Sequence, residues 1–242
     1  MGRKSRAKRE NRLRREMGLS EEAFGRLNLS IDPGTSVYRY FPEEWQANAL
    51  VNGHVWLSTL EACRQHEDPH RGDRREGTET YHSGVAVGDS GDPDFVKVAG
   101  RIGLRVGPGC TNNTVRYCTI SRTLPDAYVL CTTMKRFPQE LKTSFGKYCV
   151  EITKPTFFFY HVSAQLGSVG KFRQAAAGPV LYRDQTYVGL QDPPGEIGFV
   201  KSPDKYQGQK EFRFIWIPEN SIGLAPFSLT CTNVKPFCQR IA

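Results

Sequence analysis

The sequence predicts a single α+β domain with a mixed, mostly antiparallel β core and a few short helices. Three observations lead there. Aromatic and β-branched residues recur with period two in several short segments, the pattern of half-buried strands. Helix-start signals at Ser20, Pro42 and Thr59 each open only a short helix. The chain also carries 23 Gly and 15 Pro, a supply of turns that suits β-rich architecture better than a helical bundle. At 242 residues with 14 Phe, 10 Tyr and 3 Trp it can fill one sizeable core, and the expected domain is 19–242.

The elements follow in chain order. Ser20 with Glu21 and Glu22 predicts a short helix over about 21–27, and Asp32-Pro33-Gly34 a turn. Ser36 to Phe41 reads as a strand by its β-branched and aromatic content. Pro42-Glu43-Glu44 opens a helix, with Pro at the first position and acids at the positive end of the dipole. Trp45, Ala49 and Leu50 are expected on its buried face, and Gly53 just past its end. His54 to Ser58 is a second strand, and Thr59 caps another helix through about Gln65.

Residues 67–80 read as a loop and 81–108 as irregular or short strands. Within them Gly103 to Gly109 is a turn. Tyr128 to Thr133 and Tyr148 to Ile152 are strands. Phe157 to Tyr160 favours a strand while Pro155 suits a helix start, so 156–165 stays open between the two. Pro179 to Arg183 and Thr186 to Val188 are strands, and 192–209 a mobile stretch. The last strand begins at Glu211. Phe212, Phe214 and Trp216 alternate onto one side, Arg213 and Ile215 onto the side of Glu211.

Charge is unevenly placed. Residues 1–18 hold eight Lys and Arg against Glu10 and Glu16, a net of +6, which leaves the other residues close to neutral at +2. The segment is expected to be a disordered basic arm, able to attract nucleic acid through counterion release. It has no aromatic residue on which a base could stack. No apolar run approaches the ~18 residues of a membrane span, and no signal-peptide stretch follows the basic arm. The expected location is the cytoplasm. Seven cysteines with no Cys-x-x-Cys spacing fit reduced thiols, and none stands out as a nucleophile. Cys63, His66 and His70 with Asp68 and Asp73 could approach a metal-ligand set, but no second cluster completes it. Four nearby arginines also oppose it, so a polar turn is expected there.

Arg39 between two tyrosines, Ser58-Thr59 at a strand end, and Gln209-x-Glu211 at the head of a late strand together resemble the Arg–Ser–Glu signature of ADP-ribosyltransferases. The short connection from Arg39 through Gly53 to Ser58 is similar to that of the DNA-targeting toxins of that group. A broader resemblance, over about 36–217, is to a widespread bacterial family of unknown function. Its members open with a Tyr-Lys/Arg-Tyr strand, continue with a strand ending in Ser, and then carry an Asn/Glu-Asp-Pro turn, here Glu67-Asp68-Pro69. The transferase resemblance implies an ADP-ribosyltransferase-like fold, NAD as substrate, and a nucleic-acid or protein acceptor. It also implies a toxin or phage-defence role, with an antitoxin as a conceivable partner. Arg39 would bind NAD, Ser58 and Thr59 would shape the pocket, and Tyr38, Tyr40 or Trp56 would stack on the nicotinamide. Glu211 would be the catalytic carboxylate, and Gln209 would help select the acceptor. The alternative for Glu211 is a carboxylate paired with a neighbouring Lys or Arg. The alternative for the whole chain is a non-enzymatic, nucleic-acid-associated protein acting through its arm.

Overall fold

In a computed structural model, the structure describes residues 27–29, 35–66, 72–136 and 145–242. The basic arm, the helix expected at 21–27, the Asp32-Pro33-Gly34 turn and the Glu67-Asp68-Pro69 turn lie outside the described residues, apart from Leu27.

The strands are β1 (Leu27–Leu29), β2 (Val37–Phe41), β3 (His54–Thr59), β4 (Thr78–His82), β5 (Val85–Gly88), β6 (Asn113–Arg116), β7 (Thr119–Thr123) and β8 (Tyr128–Thr133). They continue as β9 (Tyr148–Ile152), β10 (Phe172–Pro179), β11 (Leu181–Tyr182), β12 (Thr186–Val188), β13 (Val200–Lys201), β14 (Glu211–Pro218), β15 (Phe227–Thr230) and β16 (Cys238–Arg240). The helices are α1 (Glu44–Val51), α2 (Leu60–Gln65), α3 (Pro93–Arg101), α4 (Pro155–Val169) and α5 (Pro203–Tyr206). Among the described residues no helix is long and apolar enough to cross a membrane.

The mixed, mostly antiparallel α+β architecture is as expected. Its main sheet runs β1-β10-β14-β8-β2-β9-β16, with β3 and β15 attached beside β8. The period-two alternation of β14 decides what lies on each face. Phe212, Phe214 and Trp216 enter the main core with Leu130 of β8 and Phe158, Phe159 and Val162 of α4. Segment 156–165 is helical, with Pro155 in its first turn. Trp216 fixes α4 to the sheet, its indole donating to the Ser163 hydroxyl at 2.7 Å. The opposite face of β14 and β8 carries Ile215 and Val129 against Leu60 of α2 and Phe199.

At the edge of β8 the sheet divides. β2 meets β8 through Tyr38 and Thr133 alone, then follows β9 from Val37 to Phe41. β3 meets the other end of β8, Ser58 opposite Val129 and Thr59 opposite Tyr128, and follows β15 instead. α1 links the two diverging strands. It buries Ala47 and Leu50, whereas Trp45 is 67% exposed. The helix begins at Glu44, so residues three apart, 47 and 50, share the inward face and Trp45 turns outward. Gly53 ends the connection at φ +84°, where a Cβ would stand 2.8 Å from the Cys231 carbonyl oxygen.

Residues 72–123, which take in the described part of the expected loop at 67–80 and the irregular or short strands expected at 81–108, form a satellite of two small sheets, β5-β6 and β4-β7, the latter extended by β12. It also holds a helix, α3, that the sequence reading missed. Asp92 caps it by accepting from the amides of Asp94 and Phe95, and Phe95, Val98 and Ala99 are buried on it. The stretch 192–209 contains β13, α5 and a 3-10 turn, Gln207–Gln209.

Candidate functional site

As the expected catalytic carboxylate, Glu211 would have to be open to a ligand. It is instead 4% exposed, at the centre of a neutral quartet with Glu76, Lys201 and Arg213. On one carboxylate oxygen of Glu211, Oε1, lie Nε and Nη2 of Arg213, at 2.8 and 2.7 Å. On the other, Oε2, lies Nζ of Lys201 at 2.8 Å. Glu76 closes the square, 2.5 Å from Nη1 of Arg213 and 3.2 Å from Nζ of Lys201. The alternative role, a carboxylate paired with neighbouring cations, is therefore the state of Glu211 in this structure.

Burial by itself would push the Glu211 carboxyl up. The Arg213 and Lys201 charges outweigh it and hold the group down at about 2. The reverse balance keeps Lys201 protonated: burial disfavours its charge, but Glu211 and Glu76 raise its pKa above the ordinary value.

Local structure explains why these side chains converge. Lys210, at φ +45°, forms a left-handed turn immediately before Glu211. The Thr133 hydroxyl holds that turn by donating to the Gln209 carbonyl at 2.6 Å. The Glu211 amide donates to the Tyr182 hydroxyl at 2.7 Å. Glu76 comes from a turn tied down by Arg64 of α2, whose Nε donates to the Glu76 carbonyl at 2.9 Å. Lys201 sits in a two-residue strand whose carbonyl neighbour, Val200, accepts from Gln185.

The other expected site residues divide into open and committed groups. Tyr38 is buried and donates to Glu151, and Tyr40 is buried against Cys149. Neither ring is placed to stack on a ligand, because both are core side chains of the β2–β9 edge. Thr59 is buried and its hydroxyl accepts from the Ala62 amide at 3.1 Å, so it caps α2. Ser58 is half-buried opposite Val129, Gln209 is half-exposed in its turn, and Trp56 is 52% exposed. Of the rings expected to stack, Trp56 is the one open to solvent.

Arg39 is the unusual group. Its guanidinium lies 5.4 Å from the Phe41 ring centre, and its Nη1 is buried without a hydrogen-bond partner. Among the described residues no carboxylate pairs with it. Burial accordingly depresses its pKa to about 10, partly offset by Cys131 and Cys63. In register, Glu211, Thr133 and Tyr38 form one row across β14, β8 and β2.

Two cavities lie elsewhere, and neither is lined by Arg39, Ser58 or Glu211. One of about 190 Å³ is bounded by Ala176, Phe199, Ile215 and Ile217, and one of about 380 Å³ by Tyr128, Leu166, Trp216 and Phe227. Among the described residues no group of three His, Cys, Asp or Glu side chains could hold a metal ion. His70 of the considered ligand set is outside the described residues.

No protein family, curated protein or solved structure matches this chain.

Proposed function

We propose that the protein binds NAD as an ADP-ribosyltransferase-like enzyme, with Arg39 gripping the pyrophosphate. One observation carries this reading: a half-buried guanidinium whose Nη1 is buried without a hydrogen-bond partner, with no carboxylate partner among the described residues. A buried polar nitrogen without a partner is costly, and an anionic ligand is a natural compensation. A pyrophosphate offers paired oxygens that match the guanidinium fork.

In this reading the ligand would lie where β2, with Arg39, and β3, with Ser58, part from opposite ends of the same edge of β8. Ser58 would meet the ribose, and Trp56 offers an open ring for the nicotinamide. Cleavage of the nicotinamide–ribose bond develops positive charge on the sugar. A carboxylate such as Glu211 stabilises that charge once aimed at it. From its paired state Glu211 must first exchange Lys201 or Arg213 for the ribose hydroxyl. Gln209, in the turn before it, would help choose a nucleic-acid or protein acceptor. By the same resemblance the biological role would be that of a toxin or phage-defence effector.

The closed pairing of Glu211 favours a second reading. In it the scaffold is kept without transfer chemistry, and the protein associates with nucleic acid through residues 1–18. NAD titration and nicotinamide release separate the two. The enzyme reading expects saturable NAD binding lost in Arg39→Ala and nicotinamide release lost in Glu211→Gln. The second expects neither activity, with salt-dependent nucleic-acid binding that flattens when residues 1–18 are deleted.

A further inference from the structure

The larger of the two cavities, about 380 Å³, lies away from both Arg39 and the Glu211 quartet. It is lined by Trp216, which pairs with Tyr128 of β8, whereas Glu211 pairs with Thr133 at the other end of the same ladder. The alternation of β14 also turns Trp216 and Glu211 to opposite faces of the sheet. Cavity and quartet are thus separated by the length of β14 and by the thickness of the sheet.

Two chain reversals meet around this space. One leads from the end of α4 into β10, and the other leaves β14 at Pro218 and returns as β15. They are clasped together: the Glu219 amide donates to the Lys171 carbonyl at 3.1 Å, and Nη2 of Arg173 donates to the Glu219 carbonyl at 3.0 Å. Four aromatic rings line the interior. Trp216 is fully buried and its indole N–H is satisfied by Ser163, so what it adds to the lining is apolar. Phe227 stands edge-on to Tyr128, ring centres 5.1 Å apart, and Phe172 and Leu224 complete the apolar wall. The charged groups are at the mouth, where Lys171 is exposed and pairs with no carboxylate among the described residues. Asn220 is beside it in the lining. Its Oδ1 accepts from the Ile222 amide at 3.1 Å, which leaves the side-chain NH2 to donate. In the same loop the Ser221 hydroxyl is buried without a hydrogen-bond partner. Glu219 is the one carboxylate among the lining residues, set against the cations Lys171 and Arg173 of the clasp.

We propose that this cavity is a binding site for a small aromatic carboxylate. A ring-lined interior takes an aromatic body, through apolar burial and through stacked or edge-on ring contacts. Cations and unmet donors at the mouth take an anion, and a carboxylate gives Lys171 the charge-assisted partner that the folded chain does not supply. The ring lies against Trp216, Phe172 and the Tyr128–Phe227 pair, and the carboxylate accepts from Lys171 with Asn220 as the second donor. The volume falls within the usual range for small-molecule sites, about 300–1,000 Å³. The smaller cavity beside Ile215, about 190 Å³, does not reach it.

The test needs no NAD. 2-Naphthoate, a bicyclic aromatic carboxylate, is titrated calorimetrically into the full chain, and saturable binding at one site is expected. Lys171→Ala, at an exposed position where the fold is kept, should weaken it by about tenfold. On the parent chain the uncharged analogue naphthalene-2-methanol should bind about tenfold more weakly than the carboxylate, a comparison that needs no variant. Leu224→Trp, which fills the cavity, should abolish binding, with circular dichroism confirming that this variant is folded. Arg39→Ala should bind 2-naphthoate as the parent does, so a failed NAD reading leaves this site standing. No saturable binding to the parent, equal affinity for the uncharged analogue, or binding unchanged in both Lys171→Ala and a folded Leu224→Trp would overturn the proposal. So would loss of binding in Arg39→Ala, which would place the ligand elsewhere.

Discussion

The ammonium of Lys201 lies 2.8 Å from one carboxylate oxygen of Glu211, although β13 and β14 share no ladder. The contact is made entirely by side chains and is completed by Glu76 and Arg213. A quartet of this kind is stable only as a whole, because each buried charge relies on the others for its solvation. It joins the turn before β4, β13 and β14, and so fixes the satellite to the main sheet.

Removing one charge should therefore be costly. Glu211→Gln leaves Lys201 and Arg213 with a single carboxylate between them, and the expected loss of unfolding free energy is about 3–5 kcal/mol. Urea denaturation measures it. A loss below about 1 kcal/mol would mean that the pairs are solvated in solution.

The pH dependence follows from the direction of the Glu211 shift. Its folded pKa, about 2, is below the ordinary 4.5, so the folded state favours the ionised form. The resulting stabilisation is complete above about pH 4.5 and is lost as the pH falls from there toward 2. Melting temperature followed over this range should drop, and Glu211→Gln should flatten the drop. An unchanged slope in the variant would remove Glu211 as its source.

Gly53→Ala places a methyl at φ +84°, 2.8 Å from the Cys231 carbonyl oxygen. Left-handed strain and the contact together should destabilise the fold by about 1–3 kcal/mol. Thermal unfolding of the variant checks this. A melting temperature equal to that of the parent would show that the α1–β3 connection shifts freely.

The elements legible in the sequence are those defined by neighbours along the chain. Thr59 capping α2, Gly53 closing α1 and the alternation of β14 each depend on a few consecutive residues. α3 was also local, with Asp92 and Pro93 forming its start, but the surrounding polar and glycine-rich composition obscured it. β10 was hidden for a different reason. Its Ala175-Ala176-Ala177 run has little intrinsic strand preference, and pairing with β14 is what makes it a strand. Trp45 was misplaced because its size suggested burial, whereas the helical phase turns it outward.

Arg39, Ser58 and Glu211 were singled out by their order along the chain; in register Ser58 faces Val129 and Glu211 faces Thr133 of β8, whereas Arg39 faces Val150 of β9. Glu76 and Lys201 carried no signal, since the quartet exists only through tertiary approach.

Trp56 is exposed beside Ser58 on β3 and contributes little to the core. Trp56→Ala should change stability by no more than about 0.5 kcal/mol while weakening NAD binding by roughly tenfold. Equal NAD affinity in parent and variant would exclude this ring as the nicotinamide platform.

The central claim proposed here is that the Arg39 guanidinium, its Nη1 buried without a partner, binds the pyrophosphate of NAD. Isothermal titration of NAD into the full chain and into Arg39→Ala tests it most directly, with circular dichroism confirming that the variant is folded. The account predicts saturable binding to the parent and a loss of at least about a hundredfold in the variant, the scale of a lost charge-assisted bidentate contact. No binding to the parent, or equal binding to a folded Arg39→Ala chain, would contradict it.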